Sequence, residues 1–380
     1  MSHFIAKRLQ NFDSSKIRAA FEFAEEIPNP IDLSIGFPED NTPDYIKLAG
    51  IEAIKNNHTR YTATSGMIAL RRAIAQKLQT ENHIPSDISH VTITPGITTG
   101  ILLCYLAILD PDDEILIPDP FFPPYKELAV MLGAKAVLID TAPSFQLTAE
   151  LIEPLITPKT KALVVNSPNN PSGAVYPRSE LMKIANLAKE HDLVVISDEV
   201  YEYFCYDEEH FSIGSLYPNT ITLNGFSKSY AMTGWRVGYI NGPRAIIDAV
   251  NELQQYTVFS SSSVGQHAAL TALKHKPLDI GARYEAKRDT ARTTLEKTFR
   301  DIHGAQGAFF FFVKLPGRLR DMSFVNHLGH RGVIVLPGSA FSNHQNYIRI
   351  SYAGETKNLQ KGLKLLCESV DIMTKHSPID

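Results

Sequence analysis

The sequence predicts an α/β protein with two domains: a large one with a mostly parallel seven-stranded sheet sandwiched by helices, and a smaller α+β one. First, the 380 residues exceed the roughly 250–300 at which a single core usually stops growing. Second, short apolar runs alternate with helix-patterned segments between residues 90 and 245, which is typical of crossover units in a parallel sheet covered on both faces. Third, the two ends of the chain lack this alternation.

Seven apolar runs rich in β-branched residues are the candidate strands, and longer segments between them are the candidate helices. The strands are predicted at Val91–Thr94, Glu114–Ile117, Ala136–Ile139, Ala162–Val165, Leu193–Ser197, Thr220–Leu223 and Arg236–Ile240. The helices are predicted at Thr98–Leu109, Tyr125–Leu132, Thr148–Leu155 and Arg178–His191. The last strand follows its predecessor too closely for a crossover helix, so we expect it to be antiparallel.

The domain boundaries follow from where this alternation stops. We assign residues 46–277 to the large domain, and residues 1–45 together with 278–380 to the small domain with an N-terminal arm. The N-terminal part carries the turn-rich segment IGFPEDNTPD. The C-terminal part begins with a charged helical segment, and three apolar or aromatic runs follow it, at Phe309–Val313, Val333–Leu336 and Tyr347–Tyr352.

Composition and charge disfavour several classes of protein. The 37 basic and 41 acidic residues give a net charge of −4, whereas broad nucleic-acid binding needs a basic excess. The three cysteines lie far apart and the 13 histidines are scattered, so neither a disulfide framework nor a metal site is predicted. The start has no signal-peptide pattern, and the longest apolar stretch, Ile101–Leu109, is far shorter than the roughly 20 residues of a membrane span. We therefore expect a cytoplasmic protein without membrane contact.

Each predicted strand end is followed by residues with binding chemistry, and ligands of doubly wound sheets bind beyond the carboxyl ends of strands. The segments are PGITTG after the first strand, PDPFFPPY after the second, NSPNNPSG after the fourth, DEVY after the fifth and NGFSKSYAMTGWRVG after the sixth. Each segment alone also fits an ordinary role, such as a turn, a cap or a solvated lysine. Together they suit a flat phosphorylated aldehyde with a pyridine nitrogen, because a lysine binds the aldehyde and a carboxylate pairs with the nitrogen.

These motifs resemble the class I and II aminotransferases of fold type I, which depend on pyridoxal 5'-phosphate (PLP). The most specific match is SKSYAMTGWRVG, residues 227–238, followed by NSPNNPSG and SDEVY. The resemblance covers nearly the whole chain, with the motifs in the family's order. It implies transfer of an amino group between an L-amino acid and a 2-oxo acid.

The resemblance also implies roles for individual residues around the ring of PLP. Lys228 corresponds to the lysine that binds the cofactor covalently, and Asp198 to the carboxylate that keeps the pyridine nitrogen protonated. Tyr201 and Asn170 correspond to the donors to the phenolic oxygen. Phe122 stands where many relatives have the stacking Trp or Tyr.

The phosphate of PLP would be held by a second group of residues. These are Ser227, Arg236, the N–H groups of Ile97 and Thr98, and Tyr61 of a neighbouring subunit. The role of Tyr61 implies a homodimer with shared active sites.

The substrate would be held by Arg349, which resembles the arginine that grips the α-carboxylate, together with Gly36 and Asn170. Thr98 departs from the pattern, because some aspartate-specific members have a lysine there. The resemblance therefore does not imply a dicarboxylic amino donor.

Three rival functions are weighed against this one. A PLP lyase of the same fold, such as one that cleaves carbon–sulfur bonds, is the closest, because the fold supports several reactions. A non-catalytic regulator with the same fold would need an added DNA-binding segment, for which we find no room before residue 40. A nicotinamide dehydrogenase is disfavoured because GxGxxG is absent.

Overall fold

The computed structural model describes residues 27–277, 280–300 and 302–375, together with Phe4, Ala6, Arg8 and Leu9. The strands are β1 Ile31–Asp32, β2 Val91–Thr94, β3 Glu114–Asp119, β4 Lys135–Asp140, β5 Thr160–Asn166, β6 Val194–Asp198, β7 Thr220–Gly225, β8 Gly238–Asn241, β9 Phe310–Lys314, β10 Val333–Ile334, β11 Leu336–Pro337 and β12 Tyr347–Ser351. The helices are α1 Asp44–Lys55, α2 Ile68–Glu81, α3 Ile97–Ile108, α4 Pro124–Met131, α5 Ala149–Ile152, α6 Arg178–Glu190, α7 Arg244–Thr257, α8 Ser263–Ala272, α9 Ile280–Leu295, α10 Asp321–His330 and α11 Thr356–Lys375.

The main sheet has seven strands in the order β2-β8-β7-β6-β5-β3-β4. Strands β3 to β7 pair in parallel, whereas β8 is antiparallel to both β7 and β2. The predictions of a mostly parallel sheet and of an antiparallel last strand are confirmed. That strand begins at Gly238 rather than at Arg236, because Arg236 has a left-handed backbone with φ 53° and cannot continue an extended strand.

Helices cover both faces of this sheet because its strands alternate between two cores. Ile115 and Ile117 of β3 join the core that contains Ile101 of α3. Leu116, between them, joins the core that contains Leu181 of α6. A period of two over a continuous apolar run is what a strand buried on both faces requires.

Two further sheets lie outside the main one. Strands β11, β12 and β9 form an antiparallel sheet, and the short strand β1 pairs in parallel with β10. The apolar run predicted as one piece at Val333–Leu336 is therefore split between two sheets. The helix predicted at Thr148–Leu155 likewise ends at Ile152 and continues as a 3₁₀ turn, in which Pro154 removes a backbone donor.

The site is positioned by the carboxyl ends of three neighbouring parallel strands. Strand β5 ends at Asn166 and β6 at Asp198, and β7 ends three residues before Lys228. The amino end of α3 begins at Ile97, directly after the turn that follows β2. Within the described residues, none of the helices combines the length and the apolar character needed to cross a membrane.

Candidate active site

A cavity of about 210 Å³ lies at the carboxyl ends of these strands. Its lining brings together distant parts of the chain, namely Gly36, Ile97, Thr98, Phe122, Tyr125, Asn166, Asn170, Asp198, Val200, Tyr201, Ser227, Lys228, Thr233, Arg236 and Arg349. Of the site residues predicted from the sequence, Tyr61 alone is missing from this lining.

Lys228 reaches the cavity from the loop after β7. Its Nζ donates a hydrogen bond of 2.5 Å to the carbonyl of Gly36 and lies 5.9 Å from the centroid of the Tyr201 ring. Burial, with the positive charge of Arg349 added, lowers the pKa of Lys228 from 10.5 to about 8, although Asp198 opposes the shift. A larger fraction of this amine than of an ordinary lysine is therefore unprotonated near neutral pH, which favours its action as a nucleophile.

Asp198, the last residue of β6, lines the cavity and is almost fully buried. Its Oδ2 accepts a hydrogen bond of 2.7 Å from the Tyr125 hydroxyl, and its Oδ1 accepts one of 3.2 Å from the N–H of Val200. Burial nevertheless raises the pKa of the Asp198 carboxyl from 3.8 to about 6. A buried carboxylate with two neutral donors favours a cationic partner on its cavity side.

The part of the cavity lined by Ile97, Thr98 and Arg236 suits an anion. The N-cap residue of helix α3 is Gly96, with φ 81° and no side-chain cap, so the first N–H groups of the helix have no capping acceptor from that residue. Arg236 packs directly against this turn, since a Cβ on Gly96 would lie only 2.4 Å from its Nη2. Arg236 Nη1 also donates 2.9 Å to the carbonyl of Thr233. A helix amino end beside a guanidinium suits a phosphate group.

Arg349 enters the cavity from β12 and is buried between two aromatic rings. Its Cζ lies 4.4 Å from the ring centroid of Phe310 and 4.6 Å from that of Phe341. Nη1 donates 3.1 Å to Asn170 Oδ1 and Nη2 donates 2.7 Å to the Ser34 carbonyl. Among the described residues, the buried Nε has no acceptor. Burial lowers the pKa of Arg349 to about 10, which indicates a guanidinium that a bound anion would stabilise.

Tyr61 lies outside the cavity and is 84% exposed. Its ring contacts the ring of Phe259 edge-on, with 4.9 Å between centroids. In a single chain it therefore contributes nothing to the cavity.

Sequence reasoning missed Tyr125, Asn166, Val200 and Thr233 in the cavity lining. Tyr125 is the last residue of PDPFFPPY, a segment in which the resemblance implies a role for Phe122 only. Asn166 opens NSPNNPSG, and its side chain links two loops: Nδ2 donates 3.0 Å to the Asp198 carbonyl, and Oδ1 accepts 2.9 Å from the N–H of Asn170.

The family of the chain follows from comparison with known proteins. Residues 28–366 match the family described as aminotransferase class I and II. The chain belongs to this family, whose members depend on PLP, and it is an aminotransferase.

Named relatives agree with this assignment along most of the chain. Aromatic-amino-acid aminotransferase 2 of Thermococcus litoralis is 36% identical over 94% of this chain and 96% of its own length. The aspartate/prephenate aminotransferase of Thermus thermophilus is 35% identical over 91% and 92%. Among solved structures, the aspartate aminotransferase from Thermus thermophilus with maleate has a TM-score of 0.91 and 33% identity, covering 97% of this chain and 100% of that one.

Proposed function

We propose that this aminotransferase binds PLP in the 210 Å³ cavity and moves an amino group from an L-amino acid to a 2-oxo acid in two alternating half-reactions. The observation that carries the proposal is that Lys228 and Asp198 line one cavity together with two arginines that suit anions, Arg236 and Arg349. When bound, the cofactor supplies an electron sink for the bond broken at the substrate α-carbon.

The residues present fit this cofactor at each of its polar groups. The uncapped start of α3, with Arg236, Ser227 and Thr98, suits the phosphate. Asp198 suits the protonated ring nitrogen, because that charge would offset the cost of burying the carboxylate. Tyr201 and Asn170 offer an O–H and an N–H toward a phenolic oxygen. Phe122, which is part of the lining, supplies a flat apolar face.

Lys228 has two tasks in the proposed mechanism. Its amine would hold the cofactor covalently, which the lowered pKa of about 8 favours. As a free amine, Nζ would take the proton from the substrate α-carbon as general base and return it as general acid. No other lysine lines the cavity among the described residues.

Arg349 would hold the substrate carboxylate and so fix which bond at the α-carbon is broken. Its unpartnered Nε supplies one donor, and a bidentate pair with a carboxylate needs two. Nη1 and Nη2 each carry two N–H groups and donate one recorded bond apiece, to Asn170 and to the Ser34 carbonyl, so the guanidinium keeps a second donor for the carboxylate. The backbone of Gly36 and the Asn170 amide would complete the carboxylate site.

We further propose that two copies of the chain form a homodimer. Helix α1 has three half-exposed apolar residues, Leu48, Ile51 and Ile54, and Ile68 and Tyr61 lie exposed nearby in the chain. Adjacent exposed apolar residues of this kind favour a protein partner. A second copy would cover them and bring its Tyr61 toward the phosphate site.

We place the protein in the cytoplasm and retain 46–277 as the large domain, with 1–45 and 278–380 as the small one.

A half-reaction experiment tests the function. The PLP-loaded protein is mixed with single amino acids without any oxo acid, and the cofactor spectrum and products are recorded. An aminotransferase releases one equivalent of 2-oxo acid per subunit and stops until an oxo acid is added. Continuous release of ammonia without an acceptor would instead identify the carbon–sulfur lyase. Lys228→Ala is the control and should give no turnover in either case.

A further inference from the structure

A buried polar cluster outside the cavity lining is formed by Lys77, Asn82, Glu202 and Asn224, here called the Glu202 cluster. The side chains of Lys77 and Glu202 are 8% and 7% exposed, and Lys77 Nζ lies 2.5 Å from both carboxylate oxygens. Asn82 Nδ2 donates 2.8 Å to Oε2, and Asn224 Nδ2 donates 2.7 Å to Oε1. The carboxylate of Glu202 therefore accepts from three side chains of two segments, the end of α2 with its C-cap Asn82 and strand β7.

The cluster joins the two segments that carry the proposed cofactor residues. Glu202 follows Tyr201 directly and shares a loop with Asp198. Asn224 belongs to β7, four residues before Lys228. A single carboxylate thus links the loop of Asp198 and Tyr201 to the strand that leads to Lys228, while α2 supplies the balancing charge through Lys77.

The orientation of both amides is fixed, so that only a carboxylate satisfies them. Asn224 Oδ1 accepts 2.7 Å from the N–H of Gly225, which turns Nδ2 toward Glu202. Asn82 Oδ1 accepts 2.8 Å from Lys77 Nζ, which turns its Nδ2 the same way. An amide at position 202 would have to set its own N–H₂ against one of these donors, and an unmet buried donor is costly.

The neighbouring Glu199 is satisfied by a separate set of groups. Its Oε1 accepts from the Ser197 and Ser212 hydroxyls at 2.7 and 2.6 Å, and its Oε2 lies 3.1 Å from His210 Nε2. Ligand atoms of Glu199, Glu202 and His210 lie within 4.8 Å of one another. We assign no metal to them, because the Lys77 ammonium already supplies the cation beside Glu202.

We propose that Glu202 is a positioning residue, whose carboxylate holds the Asp198–Tyr201 loop and the Lys228 segment in register across the cavity. The inference depends on the proposed function only in naming PLP as the group that these two segments would hold. Buried ion pairs often contribute little net stability compared with apolar residues, so the value of this one lies in the geometry that it imposes.

The test uses Glu202→Gln, which keeps the shape and removes the second acceptor. In the cofactor-free protein, backbone hydrogen exchange is expected to accelerate about tenfold or more at both 198–202 and 225–228. PLP affinity should fall by a similar factor, with kcat lowered and the KM for the amino acid nearly unchanged. Wild-type exchange at 225–228 together with wild-type PLP affinity would overturn the inference.

Three companion variants sharpen the result. The double variant Glu202→Gln with Asn224→Asp exchanges the carboxylate and the amide of these two positions. The amide at 202 can then donate to the carboxylate at 224, so most of the PLP affinity should be recovered. Asn224→Ala removes the hydrogen bond between β7 and Glu202, so hydrogen exchange should rise at 225–228 and not at 198–202. This variant also tests the inference if Glu202→Gln does not fold. Glu368→Gln, which breaks the partly buried pair with Arg331 outside the cavity, should behave as wild type in both segments.

Failure of the inference and failure of the proposed function are distinguishable. If wild-type protein binds no PLP, the proposed function is wrong, and the exchange data on the cofactor-free protein still decide the role of Glu202. If wild type binds PLP and Glu202→Gln matches it both in PLP affinity and in exchange at 225–228, the positioning role alone is wrong.

Discussion

Replacing Asp198 by Asn is expected to stabilise the cofactor-free protein while it destroys the proposed cofactor site. Asp198 is 3% exposed, and burial raises its pKa from 3.8 to about 6. At 1.36 kcal/mol per tenfold change in proton affinity, this difference corresponds to a cost of about 3 kcal/mol for the ionised carboxylate. An Asn side chain has the same shape, and the Tyr125 hydroxyl can accept from its amide where it now donates.

The pH dependence of this gain has a definite direction. Above pH 6 the carboxyl is ionised in both the folded and the unfolded chain, so the full cost is present. Below pH 3.8 it is protonated in both, so the cost vanishes. Asp198→Asn should therefore gain about 3 kcal/mol at pH 7.5 and about half of that at pH 5.

Urea unfolding of the cofactor-free proteins at the two pH values measures the gain. With PLP added, wild type should become the more strongly stabilised of the two, because only its carboxylate pairs with the ring nitrogen and binding adds stability to the folded state. A variant that is less stable than wild type by the same amount at both pH values would refute the reasoning, since the carboxylate would then be stabilised by its surroundings.

The remaining predictions concern the two anion sites and the amine. Arg349→Lys should raise the KM for amino acid and oxo acid together by about tenfold or more, because an ammonium cannot form a bidentate pair; steady-state kinetics check this, and a loss confined to kcat would contradict it. Gly96→Ala should weaken PLP binding, since the new Cβ would lie 2.4 Å from Arg236 Nη2 at a residue with φ 81°. In the same PLP titration Gly234→Ala, whose Cβ meets nothing within 4 Å, should bind as wild type. In cofactor-free protein, reductive labelling of Lys228 by PLP should rise with a midpoint near pH 8 rather than 10.5.

Much of the main sheet follows from local sequence. The sequence predicts the first strand of the main sheet at Val91–Thr94, where β2 lies. The bounds predicted for the other six strands differ from the observed bounds by no more than two residues at either end. Fully buried parallel strands can be recognised in the sequence because each is a continuous apolar run rich in β-branched residues. The rule that ligands bind beyond the carboxyl ends of such strands then selected the segments that line the cavity.

What could not be predicted depends on contacts between distant residues. Nothing in the sequence distinguishes Lys77 from an ordinary surface lysine, and its partner Glu202 lies 125 residues away. The donor to Asp198 is likewise Tyr125, 73 residues earlier. The division of 333–337 between two sheets is decided by the pairing of Val333 with Ile31 and of Leu336 with Arg349. Such pairings are set by tertiary packing, which overrides the local apolar pattern.

The account depends most directly on the amine of Lys228. Wild-type protein loaded with PLP is reduced with borohydride, digested and mapped by mass spectrometry. A pyridoxyl label on the peptide that contains Lys228, lost in Lys228→Ala, is the predicted result. A label on a different lysine, or an unlabelled Lys228 in protein that retains PLP, would contradict the proposed site.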